Sequence, residues 1–78
     1  MPMKMKRLRQ ILSKYGVQED ESRGKGSHTF FQRTVDGVEL GYPIPTHGNE
    51  VLDCYVKGVW RALRINETVS YQDFLREE

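Results

Sequence analysis

The chain has 78 residues, 12 basic and 11 acidic, with 37% hydrophobic and 29% charged side chains. These proportions fit one small globular domain over residues 1–78 and leave no room for a second. One tryptophan, four tyrosines and three phenylalanines argue against disorder, and a chain this short buries only about 60% of the surface its unfolded form exposes, so the core is thin.

The longest apolar run is Cys54-Tyr55-Val56, far short of the roughly 20 residues that cross a bilayer. No membrane association is expected. The basic start, Met1 to Arg9, has no apolar segment behind it and does not read as a secretory leader. With Cys54 as the single cysteine, no intrachain disulfide forms and a reducing cytoplasm is the expected compartment.

Met5, Leu8, Ile11, Leu12 and Tyr15 recur at spacings of three and four among Lys4, Lys6, Arg7, Arg9 and Lys14, which predicts an amphipathic helix with a basic wet face. Gly16 supplies its stop. Residues 17–22 carry Glu19, Asp20 and Glu21 and read as a weak edge strand whose charges discourage further pairing. Residues 29–35 and 38–44 are rich in β-branched and aromatic side chains, and Asp36-Gly37 between them signals a two-residue hairpin loop.

That loop sets the register: Val35 opposite Val38, Arg33 opposite Leu40, Phe31 opposite Tyr42 and Thr29 opposite Ile44 on a core-facing side. Thr34 with Glu39, Gln32 with Gly41, Phe30 with Pro43 and His28 with Pro45 then fall on the open side. Pro43 and Pro45 occupy non-hydrogen-bonded positions, as an edge strand requires. Continued further, the ladder places His47 opposite Gly26, at the same end as His28.

Residues 53–64 return to helical spacing, with Tyr55, Val56, Val59, Trp60 and Leu63 as the apolar stripe and Asp53 as a candidate N-cap. Lys57, Arg61 and Arg64 form a basic stripe, and Gly58 costs about 1 kcal/mol of helix stability relative to Ala. Ser70 and Asp73 resemble a capping box that starts a short C-terminal helix docking Tyr71, Phe74 and Leu75. The expected fold is α+β, a two-layer α-β-β-β-α sandwich with a short C-terminal helix.

His28 is the foremost candidate for chemistry, an imidazole on an open sheet face that exchanges a proton near neutral pH. It follows Arg23-Gly24-Lys25-Gly26-Ser27, a turn whose backbone N–H groups, with Arg23 and Lys25, suit an anion. The Gly-x-x-x-x-Gly-Lys spacing of a nucleotide-binding loop is absent. Phe30 offers a ring for a splayed base. His47 is the candidate second acid or base for phosphodiester transesterification. Each of these also has an ordinary reading, His28 as a surface histidine and His47 as a loop hydrogen-bond partner. His28, His47, Asp53 and Cys54 lack metal-ligand spacing, so neither a metal nor another cofactor is expected. Cys54 reads as a small buried helix residue rather than a nucleophile.

Gly26-Ser27-His28, the Asp36-Gly37 hairpin, Pro45-Thr46-His47-Gly48 and Tyr71-Gln72-Asp73-Phe74 together resemble the HicA family of toxins from toxin–antitoxin modules, over nearly the whole chain. The segment from Val59 to Ile65 departs from the leucine-rich stretch and Ala-Gly that end the second long helix in many members. The resemblance implies a fold related to the double-stranded-RNA-binding domain, an mRNA-cleaving activity that blocks translation, and a HicB-type antitoxin as partner. The family's catalytic histidine corresponds to His28. Arg23, Lys25, Gly26 and Ser27 are then expected to hold the scissile phosphate, and Lys57, Arg61 and Arg64 the RNA backbone. The competing reading is a non-catalytic RNA-binding module that docks A-form RNA through Lys57, Arg61, Arg64 and the basic first helix.

Overall fold

The computed structural model describes residues 3–20, 28–45 and 48–76. Strand β1 (Met3–Lys4) leads into helix α1 (Met5–Ser13) and is followed by β2 (Gln18–Glu19), β3 (His28–Val35), β4 (Val38–Pro45) and β5 (Glu50–Val51). Helix α2 (Asp53–Ala62), a 3-10 turn (Ile65–Glu67) and helix α3 (Tyr71–Leu75) complete the chain. The protein is α+β, with a three-stranded antiparallel sheet in the order β2-β3-β4 and a separate pair made by β1 and β5.

The hairpin register is the expected one at all eight positions, from Val35 opposite Val38 to His28 opposite Pro45. Asp36 at φ +52° and Gly37 at φ +78° give the loop the paired left-handed conformations of a type I′ turn, whose twist matches that of the strands it joins. Strand β4 is an edge, so the missing N–H groups of Pro43 and Pro45 leave no ladder bond unmade. Strand β2 takes up Gln18 and Glu19 of the expected 17–22 segment, whose residues 21 and 22 lie outside the described residues, and an Asp20 N–H bond to Phe30 O (2.8 Å) continues its pairing.

Phe31 and Ile44 point to one side of the sheet and join Leu8, Ile11 and Leu12 of α1, Val56 and Val59 of α2, and Phe74 of α3 in one buried cluster. Both long helices therefore cover that face and form the second layer. The pairing of β1 with β5, Met3 opposite Val51, has no alternating pattern to announce it. It closes the start of α1 onto the segment before α2, extended by a Met5 N–H bond to Asn49 O (2.7 Å).

One core-facing side chain is a cation. Arg33 donates from Nε to Tyr15 O (2.9 Å) and from Nη1 to Leu63 O (2.8 Å). These carbonyls lie just past α1 and at the cap of α2, where helix geometry leaves C=O groups without partners and the helix dipole favours positive charge. Arg7 does the same for α3, reaching Leu75 O at 2.8 Å. Gly58 has a packing reason that outweighs its poor helix propensity: a Cβ there would collide with the hydroxyl end of Tyr42, which crosses the helix at this point.

Asp53 is not the N-cap of α2. Leu52 is, in extended conformation and with its carbonyl accepting from Tyr55 and Val56, which places Asp53 in the first turn, where its charge suits the helix dipole. At α3 the expected cap forms, with Ser70 Oγ accepting from the Asp73 N–H at 3.2 Å. No helix among the described residues is long and apolar enough to cross a membrane.

Candidate functional site

Side chains alternate along a strand, so burying Phe31 under the helices turns His28, Phe30, Gln32 and Thr34 to the opposite side. His28 is exposed there at the start of β3, across from Pro45. Phe30, next on the same face, is half-buried and lays the end of its ring across Gly41, where any Cβ would overlap it. An aromatic side chain covering a cross-strand glycine protects a backbone stretch that would otherwise be bare. That contact occupies part of the ring foreseen as a base platform. His47 and the turn carrying Arg23, Lys25, Gly26 and Ser27 lie outside the described residues.

The basic stripe on α2 is shorter than its spacing suggests. Lys57 and Arg61 are exposed, with Lys57 Nζ 5.7 Å from the centre of the Tyr71 ring. Arg64 does not belong with them. The helix ends at Ala62, and Arg64 adopts a left-handed conformation at φ +60°. It pairs through Nε and Nη2 with both carboxylate oxygens of Glu67, at 2.9 and 2.8 Å. That hydrogen-bonded pair lowers the Glu67 carboxyl below its ordinary range and raises the Arg64 guanidinium. On α1, Arg7 is held by Leu75 O and Arg9 binds Glu19 at 2.7 Å, so part of the basic helix face serves the fold.

Cys54 is exposed, not buried, because the buried stripe of α2 starts at Val56. With Asp53, Lys57, Tyr71 and Leu75 it lines an open groove of about 460 Å³ between α2 and α3. Burial raises the Tyr71 phenol, and the Asp53 carboxylate adds to the shift. Among the described residues, no three His, Cys, Asp or Glu side chains gather as a metal site.

A second concavity was not anticipated from the sequence. Gly16, Gln18, Gln32, Arg33, Thr34 and Glu39 line a polar recess of about 220 Å³ where β2 meets the hairpin. Gln18 and Gln32 are direct cross-strand partners and so share a face. The signal was the open-face position of Gln32 in the hairpin register, which gains meaning only when β2 brings Gln18 beside it. In comparisons with known proteins, no family model, curated protein or solved structure matches the chain.

Proposed function

We propose that this chain is an mRNA-cleaving toxin of the HicA type, an endoribonuclease that uses His28 without a metal and is neutralised by a HicB-type antitoxin. The observation that carries this reading is the exposed imidazole of His28 on the side of the hairpin that the helices leave open. A sheet with its other face packed is a firm support for a group that must meet a phosphodiester at fixed distance.

The proposed step is transesterification. The RNA 2′-OH attacks the adjacent phosphorus, the bond to the leaving 5′-oxygen breaks, and the products are a 2′,3′-cyclic phosphate and a 5′-hydroxyl. One proton leaves the 2′-OH and one is delivered to the 5′-oxygen. His28 carries one of these transfers, with His47 the candidate for the other, each worth about 10²–10⁴-fold. Arg23, Lys25, Gly26 and Ser27 are assigned to the phosphate.

The direct test is cleavage of a long mRNA in excess EDTA. Products with cyclic-phosphate ends, and no cleavage where the attacking nucleotide lacks its 2′-OH, are expected. An intact message, or activity that returns only with a divalent ion, overturns the reading. The exposed pair Lys57 and Arg61 favours the second reading, an RNA-binding module without chemistry. It requires RNA affinity whose salt slope falls by about 0.7–0.9 for each of these contacts removed, with no cleavage by the wild-type chain.

A further inference from the structure

We propose that Gly41 is a positioning residue for the RNA cleavage assigned above, and the inference rests on that reading: by taking in the Phe30 ring, Gly41 keeps the approach of a phosphodiester to His28 clear. Phe30 stands opposite Pro43 on the open face, so its diagonal neighbours on β4 are Gly41, toward the hairpin turn, and Pro45, the cross-strand partner of His28. Diagonal neighbours lie about 7–8 Å apart, within reach of an aromatic ring. The two diagonals are not equivalent. Gly41 has no side chain, whereas Pro45 fills its place with a ring. Phe30 takes the Gly41 side, so closely that a Cβ at residue 41 would collide with ring atoms Cζ and Cε2. The ring therefore leans away from His28, which is exposed at the other diagonal.

The backbone does not require a glycine here. Gly16, Gly37 and Gly48 have positive φ and Gly41 has not, so its conformation is open to any L side chain. A glycine inside a strand weakens it and marks a close approach, and the approaching group is the Phe30 ring. An added Cβ evicts that ring. Phenylalanine χ1 occupies discrete staggered wells, so the ring leaves either by standing off the sheet or by swinging to the other diagonal, over Pro45 and against His28. Both positions put it in the way of RNA lying on the open face. Ring and RNA then compete for one space, which lowers the fraction of chains competent to bind and raises the apparent Kd by the same factor. The imidazole itself is unchanged.

The test compares wild type, Gly41→Ala, Phe30→Leu and the double variant in steady-state cleavage of a long mRNA, with circular dichroism to confirm folding. Leucine lacks the Cζ and Cε atoms that meet residue 41. Gly41→Ala is expected to raise KM about tenfold at unchanged kcat, and the double variant to return to the KM of Phe30→Leu alone. A second measurement needs no RNA: carbethoxylation of His28 by diethyl pyrocarbonate, followed by peptide mass mapping, should slow in Gly41→Ala and recover in the double variant. A fall in kcat at unchanged KM, the mark of a merely structural loss, overturns the inference. So does a change that Phe30→Leu fails to relieve, or a folded Gly41→Ala that behaves as wild type. If Gly41→Ala does not fold, the substitution is made on the Phe30→Leu background, where it is expected to be silent and a raised KM overturns the inference. A wild type that cuts no RNA, with His28 shielded in Gly41→Ala, overturns the nuclease reading alone, and without that shielding both fall.

Discussion

On the helix-facing side of the β3–β4 hairpin, Phe31 and Ile44 are sealed in the core and Arg33 is held by carbonyls at the ends of two helices. On the open side His28 is exposed, Phe30 lies across Gly41, and Gln32 borders an open polar recess. Both sides come from the same two strands, separated by a side-chain period of two. One face therefore answers to packing density and hydrogen-bond satisfaction, and the other is left free to be chosen for chemistry. Substitutions on the first should change stability, and substitutions on the second should change the RNA cleavage proposed for the chain.

The largest effect is expected at Phe31. Truncation to Ala removes a ring that is 2% exposed and should cost about 3–5 kcal/mol in chemical denaturation, a large fraction of the stability of a domain this size. A loss below 1 kcal/mol would mean that the face is not packed as described. Arg33→Met comes next. It keeps the aliphatic stem but leaves Tyr15 O and Leu63 O without their donor, and a loss of about 2–3 kcal/mol is expected. A neutral result would show that water replaces the guanidinium at both helix ends.

Gly58 sharpens the comparison from the helix side. Helix propensity alone makes Gly58→Ala a gain of about 1 kcal/mol, yet the new methyl group meets the hydroxyl end of Tyr42. No gain is expected in the wild-type background, and the gain should return when Tyr42 is shortened to Leu. Additive behaviour in this double-mutant cycle would remove Tyr42 from the contact.

The smallest effect belongs to the Arg64–Glu67 pair at the surface. Glu67 holds its proton less tightly in the folded chain than in the unfolded one, so the pair contributes stability above the unfolded carboxyl value of about 4.3 and loses it as pH falls through the lower folded value. Melting temperatures of wild type and Glu67→Gln should differ by a small, constant amount near neutrality and converge in acid. A gap that widens on acidification would contradict the assignment.

Much of the fold was legible because its signals are local. Asp36-Gly37 dictates a two-residue turn, the turn dictates the register, and the register explains why Pro43 and Pro45 are tolerated on β4. The three- and four-residue spacing of Met5, Leu8, Ile11 and Leu12 likewise carries the buried side of α1. What escaped depends on contacts between distant segments. The β1–β5 pair is too short for alternation to register, and the roles of Arg7 and Arg33 require knowing which helix end arrives beside each. Arg64 was misread as part of a helix face because a left-handed non-glycine residue has no sequence signature. At the candidate site, the exposure of His28 followed from the register, whereas the Gln18–Gln32 recess exists only once β2 has docked.

The measurement that bears most directly on the division between the two faces is RNA cleavage and unfolding free energy on the same preparation of His28→Ala. A stability within about 0.5 kcal/mol of wild type together with complete loss of cleavage is the expected result. Cleavage retained by the folded variant, or a variant that fails to fold, would contradict it: the first would remove His28 from the chemistry, and the second would make the open face part of what holds the molecule together.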